Sequence, residues 1–188
     1  MQPWCKEPSR LRESIRSHSA QKELKTLVCV LLVKETGMKT INGDIIVLAK
    51  QGKFDVLVHG CNCFNSMGAG VARQIKNTFP AAWHADQETQ KGDRDKLGTY
   101  TQASVKLEKG RELIVVNAYT QYHYSGGGKL VDYDALGRVF EAIARDFPGK
   151  HIAYPAIGAG LAGGDWDKIS VLIDNALAKH EHTLVLYG

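Results

Sequence analysis

Apolar residues along this chain fall into short runs separated by glycine, proline and polar positions, and the period of each run assigns its element. Asp55-Val56-Leu57-Val58-His59, closed by Gly60, is the continuous run of a strand buried on both faces. Residues 45–48, Ile45-Ile46-Val47-Leu48, form a second, β-branched run that also reads as a central strand. Between Gly68 and Phe79 the period changes: Val71, Ile75 and Phe79 recur at i, i+4 and i+8, on one face of a helix. Pro80 ends that helix and opens another over residues 80–91, stopped by Gly92. Strands over 100–107 and 112–118 flank Glu108-Lys109-Gly110-Arg111, which suits an antiparallel hairpin. Leu136, Val139, Phe140 and Ile143 mark a helix ended by Pro148-Gly149. A strand at 151–155, a glycine loop, a helix at 165–179 and a last strand at 183–187 follow. Alternating strands and helices predict a three-layer α/β/α sandwich around a mixed, mostly parallel sheet.

Residues 1–37 depart from this pattern. They hold one of the chain's 19 glycines, a charged stretch from Lys6 to Lys25, and an apolar run at 27–33 that reads either as an extra strand or as a loosely attached leader. The expected organisation is an amino-terminal extension over 1–37 and one domain over 38–188, with Met38 a possible alternative start.

A length of 188 residues, with 44% hydrophobic and 23% charged, fits one globular core. The longest apolar run, seven residues at 27–33, is far below the roughly 18 that span a bilayer, so no membrane association is expected. The net charge of +4 sits mostly in the extension, which has seven Lys/Arg against four Glu, leaving 17 against 16 in the rest. A near-neutral core argues against nucleic-acid binding by a basic face. Four cysteines match neither a disulfide framework nor a zinc-site spacing, and no secretory pattern opens the chain. Reduced thiols and a cytoplasmic location are the expectation.

Two glycine loops carry the chemistry. One runs from Asn62 through Gly68-Ala69-Gly70-Val71, and the other is Gly158-Ala159-Gly160-Leu161-Ala162-Gly163-Gly164. Each lies between a predicted strand and a predicted helix, where glycine admits a ligand close to the backbone and the helix start offers unpaired N–H groups. A pair of such cradles suits a diphosphate; a tight ligand-free turn is the plain alternative for either one. A dinucleotide fold is disfavoured, because only 25 residues follow Gly163, and no Gly-Lys-Ser/Thr occurs for a nucleotide P-loop. Asp44, in an Asn-Gly-Asp turn, could accept from an adenine amine, and Tyr187 could stack on the base or be a core aromatic. His59, Cys61 and Cys63 alternate along one strand as a weaker zinc or Cys/His nucleophile set.

Gly43-Asp44-Ile45, the segment from Val58 to Asn62 leading into Met67-Gly68-Ala69-Gly70-Val71-Ala72, Ile157 to Leu161, and the ending Leu186-Tyr187-Gly188 resemble the macrodomain family. The resemblance implies an ADP-ribose cleft. In it Asp44 binds the adenine amine, Ile45 lines the base pocket and Tyr187 stacks on the base. Gly68, Ala69, Gly70 and Val71 hold the distal ribose and one side of the diphosphate, Gly158, Ala159, Gly160, Leu161 and Ala162 hold the other side, and Asn62 contacts the distal ribose. His59-Gly60-Cys61-Asn62 and the segment from Gly158 to Trp166 are most similar to the ADP-ribose-1''-phosphate phosphatase branch, whereas Ala118 and Ala162 stand about where a lysine-dependent branch has its lysine and aspartate, so the resemblance does not extend to that branch's mechanism. The implied activity is hydrolysis of ADP-ribose 1''-phosphate with no metal or redox cofactor. Its candidate catalytic residues are His59 as acid, Asp165 orienting water or acting as base, and Asn62 orienting substrate. An ADP-ribose ester hydrolase and a non-catalytic reader of ADP-ribose or its protein conjugates are the alternatives, and the partner is a small molecule or an ADP-ribosylated protein.

Overall fold

The computed structural model describes residues 37–187, apart from the side chain of Lys109. The apolar run at 27–33 and the rest of the expected extension lie outside the described residues. Among these residues six strands form one sheet: β1 (Gly37–Asn42), β2 (Val56–Asn62), β3 (Tyr100–Lys106), β4 (Glu112–Gln121), β5 (Ile152–Tyr154) and β6 (Glu181–Leu186). Their spatial order is β1-β6-β5-β2-β4-β3, parallel throughout except for the β3–β4 hairpin. The mixed, mostly parallel sheet expected from the alternation of elements is the sheet observed.

Among the described residues five α-helices cover its faces: α1 (Ile45–Lys50), α2 (Gly70–Thr78), α3 (Pro80–Gln87), α4 (Tyr133–Asp146) and α5 (Trp166–Ala176). Strand residues alternate sides, which gives the layers. Val56, Val58 and Val116 pack with Leu136, Phe140 and Ile143 of α4 and with Ile169 and Ile173 of α5. Leu57 and Val115 pack on the opposite side with Ile46 of α1, Ile75 of α2 and Ala82 of α3. β2 is buried along nearly its whole length, which is why its sequence reads as an unbroken apolar run.

One expected element is corrected. Residues 45–48 belong to helix α1, and the strand is the preceding segment, β1. Asp44 decides the switch: its Oδ1 accepts from the backbone N–H of Ile46 at 2.8 Å and Val47 at 3.2 Å, an N-cap that starts a helix immediately. Ile45, Ile46 and Ala49 then share one buried face, a spacing a helix satisfies and a two-sided strand does not. β1 escapes the sequence pattern because, among the described residues, it is an edge strand, exposed over Lys39, Thr40, Ile41 and Asn42, and held by its ladder to β6.

Candidate functional site

The loop after β2 is built from its own side chains. Asn62 donates from Nδ2 to the carbonyl of Ser66 at 2.7 Å, and its Oδ1 accepts from the N–H of Phe64 at 3.0 Å and of Ser66 at 3.4 Å, a turn closed by one amide. Asn65 then takes a left-handed conformation (φ 56°), which asparagine tolerates better than most residues. Its Oδ1 accepts from Lys96 Nζ at 2.9 Å. That ammonium is buried; it also donates to Thr89 Oγ1 at 2.6 Å and the Cys63 carbonyl at 3.4 Å, and it lies 3.9 Å from the buried Asp86 carboxylate. The Tyr119 hydroxyl donates to Asp86 at 2.9 Å. A buried cation therefore clamps the loop from beneath.

Above the clamp, Gly68 and Ala69 lead into α2. Ala69 is its N-cap residue and offers no side-chain acceptor; α3, which opens at Phe79 and Pro80, also lacks a side-chain cap, whereas α1, α4 and α5 are capped by Asp44, Asp132 and Asp165. The first N–H groups of α2 thus carry no side-chain cap, at the helix end where partial positive charge concentrates.

The loop after β5 faces it. Gly158 has φ +77°, and a Cβ there would stand 2.8 Å from Val131 Cγ2, so only glycine fits without strain. Its carbonyl accepts from Gly164 N–H at 2.8 Å, and the Ala162 carbonyl accepts from Leu130 N–H at 2.8 Å. Between the loops lies a cleft of about 530 Å³ with Gly60 and Thr120 among its lining. Its lining includes no Asp, Glu, Lys or Arg among the described residues.

The cleft gathers most of the candidate residues: His59, Asn62, Gly68, Ala69, Gly70, Val71, Gly158, Gly160, Leu161 and Ala162 all line it. Asp44, Ile45, Ala159, Asp165 and Tyr187 do not. Asp165 is spent as a helix cap, accepting from Asp167 N–H at 3.0 Å, with Lys168 at 3.7 Å on its other oxygen. Tyr187 is 80% exposed beyond β6, so it is no core aromatic. Asn62 reaches the cleft, but its amide is committed to its own loop. Lys96, Asp86 and Asn117 were not legible as site residues, because charged and amide side chains ordinarily mark a solvated surface.

His59 is fixed by a chain of amide bonds. Asn117 Nδ2 donates to the Ala82 carbonyl at 2.7 Å and to Thr101 Oγ1 at 2.9 Å, which turns its Oδ1 toward His59 Nε2 at 2.7 Å. Nε2 therefore carries the imidazole's proton. Burial lowers the pKa of His59 to about 4, against the opposing effect of the Asn117 bond. At neutral pH the ring is uncharged and its single proton is held by Asn117, which leaves none to give a leaving group. Cys61, whose Sγ is 3.7 Å from both ring nitrogens, is pushed well above the usual thiol range, first by burial and then by Asp86. It stays protonated and is no nucleophile. Among the described residues no three His, Cys, Asp or Glu side chains gather to hold a metal ion.

The buried imidazole makes the fold acid-sensitive. An unfolded histidine takes a proton near pH 6.5, whereas folded His59 refuses it until about pH 4. Stability from this group is full above pH 6.5 and is lost as pH falls through that window, by roughly 3 kcal/mol in all. His182, also lowered by burial, adds in the same direction. Urea midpoints at pH 7.5 and 4.5 are expected to fall markedly for the unaltered protein and by less for His59→Gln; equal slopes would remove His59 from this account.

A mixed sheet covered on both faces, with a cleft between two glycine loops at the carboxyl ends of its strands, defines an α/β domain with one candidate ligand site at the edge where such folds carry theirs. The chain belongs to the Macro domain family, whose model matches residues 58–173. It is 36% identical over 153 residues to an uncharacterized 17.5 kDa protein from the tk-vs intergenic region of Enterobacteria phage T4, covering 79% of this chain and 95% of that protein. It is 27% identical over 128 residues to the DNA ADP-ribosyl glycohydrolase of Mycobacterium tuberculosis, covering 68% of this chain but 35% of that protein. The macrodomain of Mycobacterium tuberculosis DarG superposes with a TM-score of 0.62 at 19% identity, over 80% of this chain and 96% of that one. Thermosipho africanus DarTG, solved in complex with ADP-ribose, superposes with a TM-score of 0.61 at 18% identity, over 80% of this chain and 41% of that one. The structural likenesses establish the fold.

Proposed function

We propose that this chain binds ADP-ribose in the cleft and hydrolyses the bond between the distal ribose and its conjugate, releasing ADP-ribose. The observation that carries the reading is the α2 amino end without a side-chain cap, opening on a cleft of about 530 Å³, within the range of small-molecule sites. A lining free of carboxylates suits a diphosphate, which a fixed negative charge would repel. The 27% identical glycohydrolase and the ADP-ribose complex of a chain with this fold support both the ligand and the class of reaction. On this reading Asp44 and Tyr187 serve the base at the β1–β6 edge, while Gly68 to Val71 and Gly158 to Ala162 enclose the diphosphate.

Water adds at the anomeric carbon of the distal ribose, the bond to the conjugate breaks, and the proton released from water passes to the leaving group through solvent. With His59 neutral and Asp165 outside the cleft, the chain contributes orientation and stabilisation of charge by backbone N–H groups. The near-neutral composition of the domain favours recognition of the conjugate through its ADP-ribose and not through a general affinity for nucleic acid.

A second reading is ADP-ribose 1''-phosphate phosphatase. The residue pattern His59-Gly60-Cys61-Asn62 and the segment from Gly158 to Trp166 favour it. One experiment separates the two: the chain is incubated with an ADP-ribosylated DNA oligonucleotide and, in a second tube, with ADP-ribose 1''-phosphate, and products are followed by phosphorus NMR and mass spectrometry. Free ADP-ribose from the oligonucleotide is the expected result. Free phosphate from the second tube alone would establish the phosphatase. Perturbed diphosphate signals with no product would make the chain a reader, and unperturbed spectra would overturn the cleft assignment.

A further inference from the structure

Among the described residues, one polar atom of the cleft lining is buried without a hydrogen-bond partner. Thr120 is 1% exposed and lines the cleft, yet its Oγ1 makes no hydrogen bond. Buried hydroxyls nearly always find one, and an orphan is costly enough to need an explanation. A valine of the same shape would fill this position without the penalty.

The backbone shows that the side chain has been aimed. In the β2–β4 ladder Tyr119 pairs with Cys61 and Gln121 with Asn62, so Thr120 is the extra residue of a bulge. Bulges beside binding sites redirect a side chain in this way. The bulge is pinned, because the Thr120 carbonyl accepts from Asp132 N–H at 2.9 Å at the start of α4. Across the ladder Gly60 leaves open the space in front of the hydroxyl: a Cβ on Gly60 would stand 3.1 Å from Thr120 Oγ1 and 3.1 Å from Ile157 Cγ2. Thr120 thus lines the cleft beside a position that only the absence of a side chain on Gly60 keeps from crowding its hydroxyl.

From this geometry we infer that Thr120 Oγ1 is a ligand-contacting group that hydrogen-bonds a sugar hydroxyl of the bound molecule, and that it discriminates ADP-ribose from ADP. The inference rests on the cleft reading above. Along the strand order β6-β5-β2-β4, Thr120 is three strand spacings, roughly 14 Å, from the β6 edge where the base is assigned. The α2 terminus follows β2, between the two. A ligand with its base at β6 and its diphosphate at α2 brings its far end toward β4, where ADP-ribose has a second ribose and ADP ends. A hydroxyl both donates and accepts, which matches a ribose hydroxyl and needs no charge.

The test is titration calorimetry of ADP-ribose and of ADP against the unaltered chain, Thr120→Val and Thr120→Ser. The unaltered chain is expected to bind ADP-ribose more tightly than ADP. Thr120→Val is expected to weaken ADP-ribose about fivefold to tenfold, the worth of one hydrogen bond between neutral groups, and to leave ADP unchanged. Thr120→Ser should stay within about twofold of the unaltered chain for both ligands, because the hydroxyl is kept. The melting temperature of Thr120→Val should not fall, since the replaced hydroxyl has no protein partner to lose; this separates a lost contact from a damaged fold. Undiminished ADP-ribose affinity in Thr120→Val, or an equal loss for ADP and ADP-ribose, overturns the assignment of Thr120 while the cleft reading stands. Failure of the unaltered chain to bind either ligand overturns the cleft reading and this inference together.

Discussion

Replacing Lys96 with methionine is expected to lower the melting temperature of this domain by roughly 10 °C or more. The ammonium is buried with Asp86, and methionine keeps most of the volume while removing the charge. Burial already holds the Asp86 carboxyl above its ordinary range, against the lowering effects of Tyr119 and Lys96. Taking one member of a buried pair leaves an uncompensated charge, at a cost of about 3–5 kcal/mol, and each kcal/mol moves the transition of a domain this size by about 2–4 °C. The same change releases Asn65, Thr89 and the Cys63 carbonyl, so the first glycine loop loses its support. The deficit has a defined pH dependence. Without Lys96, Asp86 rises further, and a raised carboxyl takes up a proton in the folded state before the unfolded one does. The variant should therefore recover ground as pH falls toward 5 and lose it as pH rises to 8. A calorimetric series of the variant across that range checks both magnitude and sign, and a melting temperature unchanged at pH 7.5 would mean that the pair is not coupled as its geometry indicates.

Gly160→Glu should reduce ADP-ribose affinity by about 100-fold or more with little change in stability. Gly160 lines the cleft, has an ordinary backbone conformation, and would give a Cβ nothing within 4 Å. A side chain there meets no fold-breaking contact, unlike one at Gly158. A carboxylate about 5 Å from a diphosphate contributes close to 3 kcal/mol of repulsion per charge at the effective dielectric of a protein surface, which is the stated factor. Gly160→Gln separates charge from bulk: it is expected to retain most of the affinity, and the loss in Gly160→Glu should shrink as salt is raised. Full affinity in Gly160→Glu would mean that the anion does not lie between the two loops.

The residues that line the cleft were largely legible in the chain, because two similar Gly-Ala-Gly loops, each between a predicted strand and a predicted helix, are set apart from single tight turns. Gly68, Ala69, Gly70, Gly158 and Gly160 stood out for that reason, and the structure places them on two sides of one cavity. Asp165 illustrates the opposite case. A lone aspartate ahead of a helix is the same letter whichever role it has, and only the folded chain shows it bonded to Asp167 N–H, paired with Lys168 and outside the cleft lining. His59 was legible as an ionisable group near the loop, yet its protonation state depends on Asn117, 58 positions away.

Local pattern determined most of the strands and helices, the antiparallel hairpin and the two glycine loops, since apolar period and glycine placement act over a few residues. Tertiary structure decided what depends on distant partners. It made residues 45–48 a helix, because a buried face and the Asp44 cap together outweighed β-branched propensity. It made Gly37–Asn42 a strand through pairing with distant β6. It buried Lys96 beside Asp86, left the Thr120 hydroxyl without a partner, and held His59 neutral. Charge, hydrogen bonding and desolvation are properties of an environment, and for these side chains the environment is assembled from segments that only the folded chain brings together.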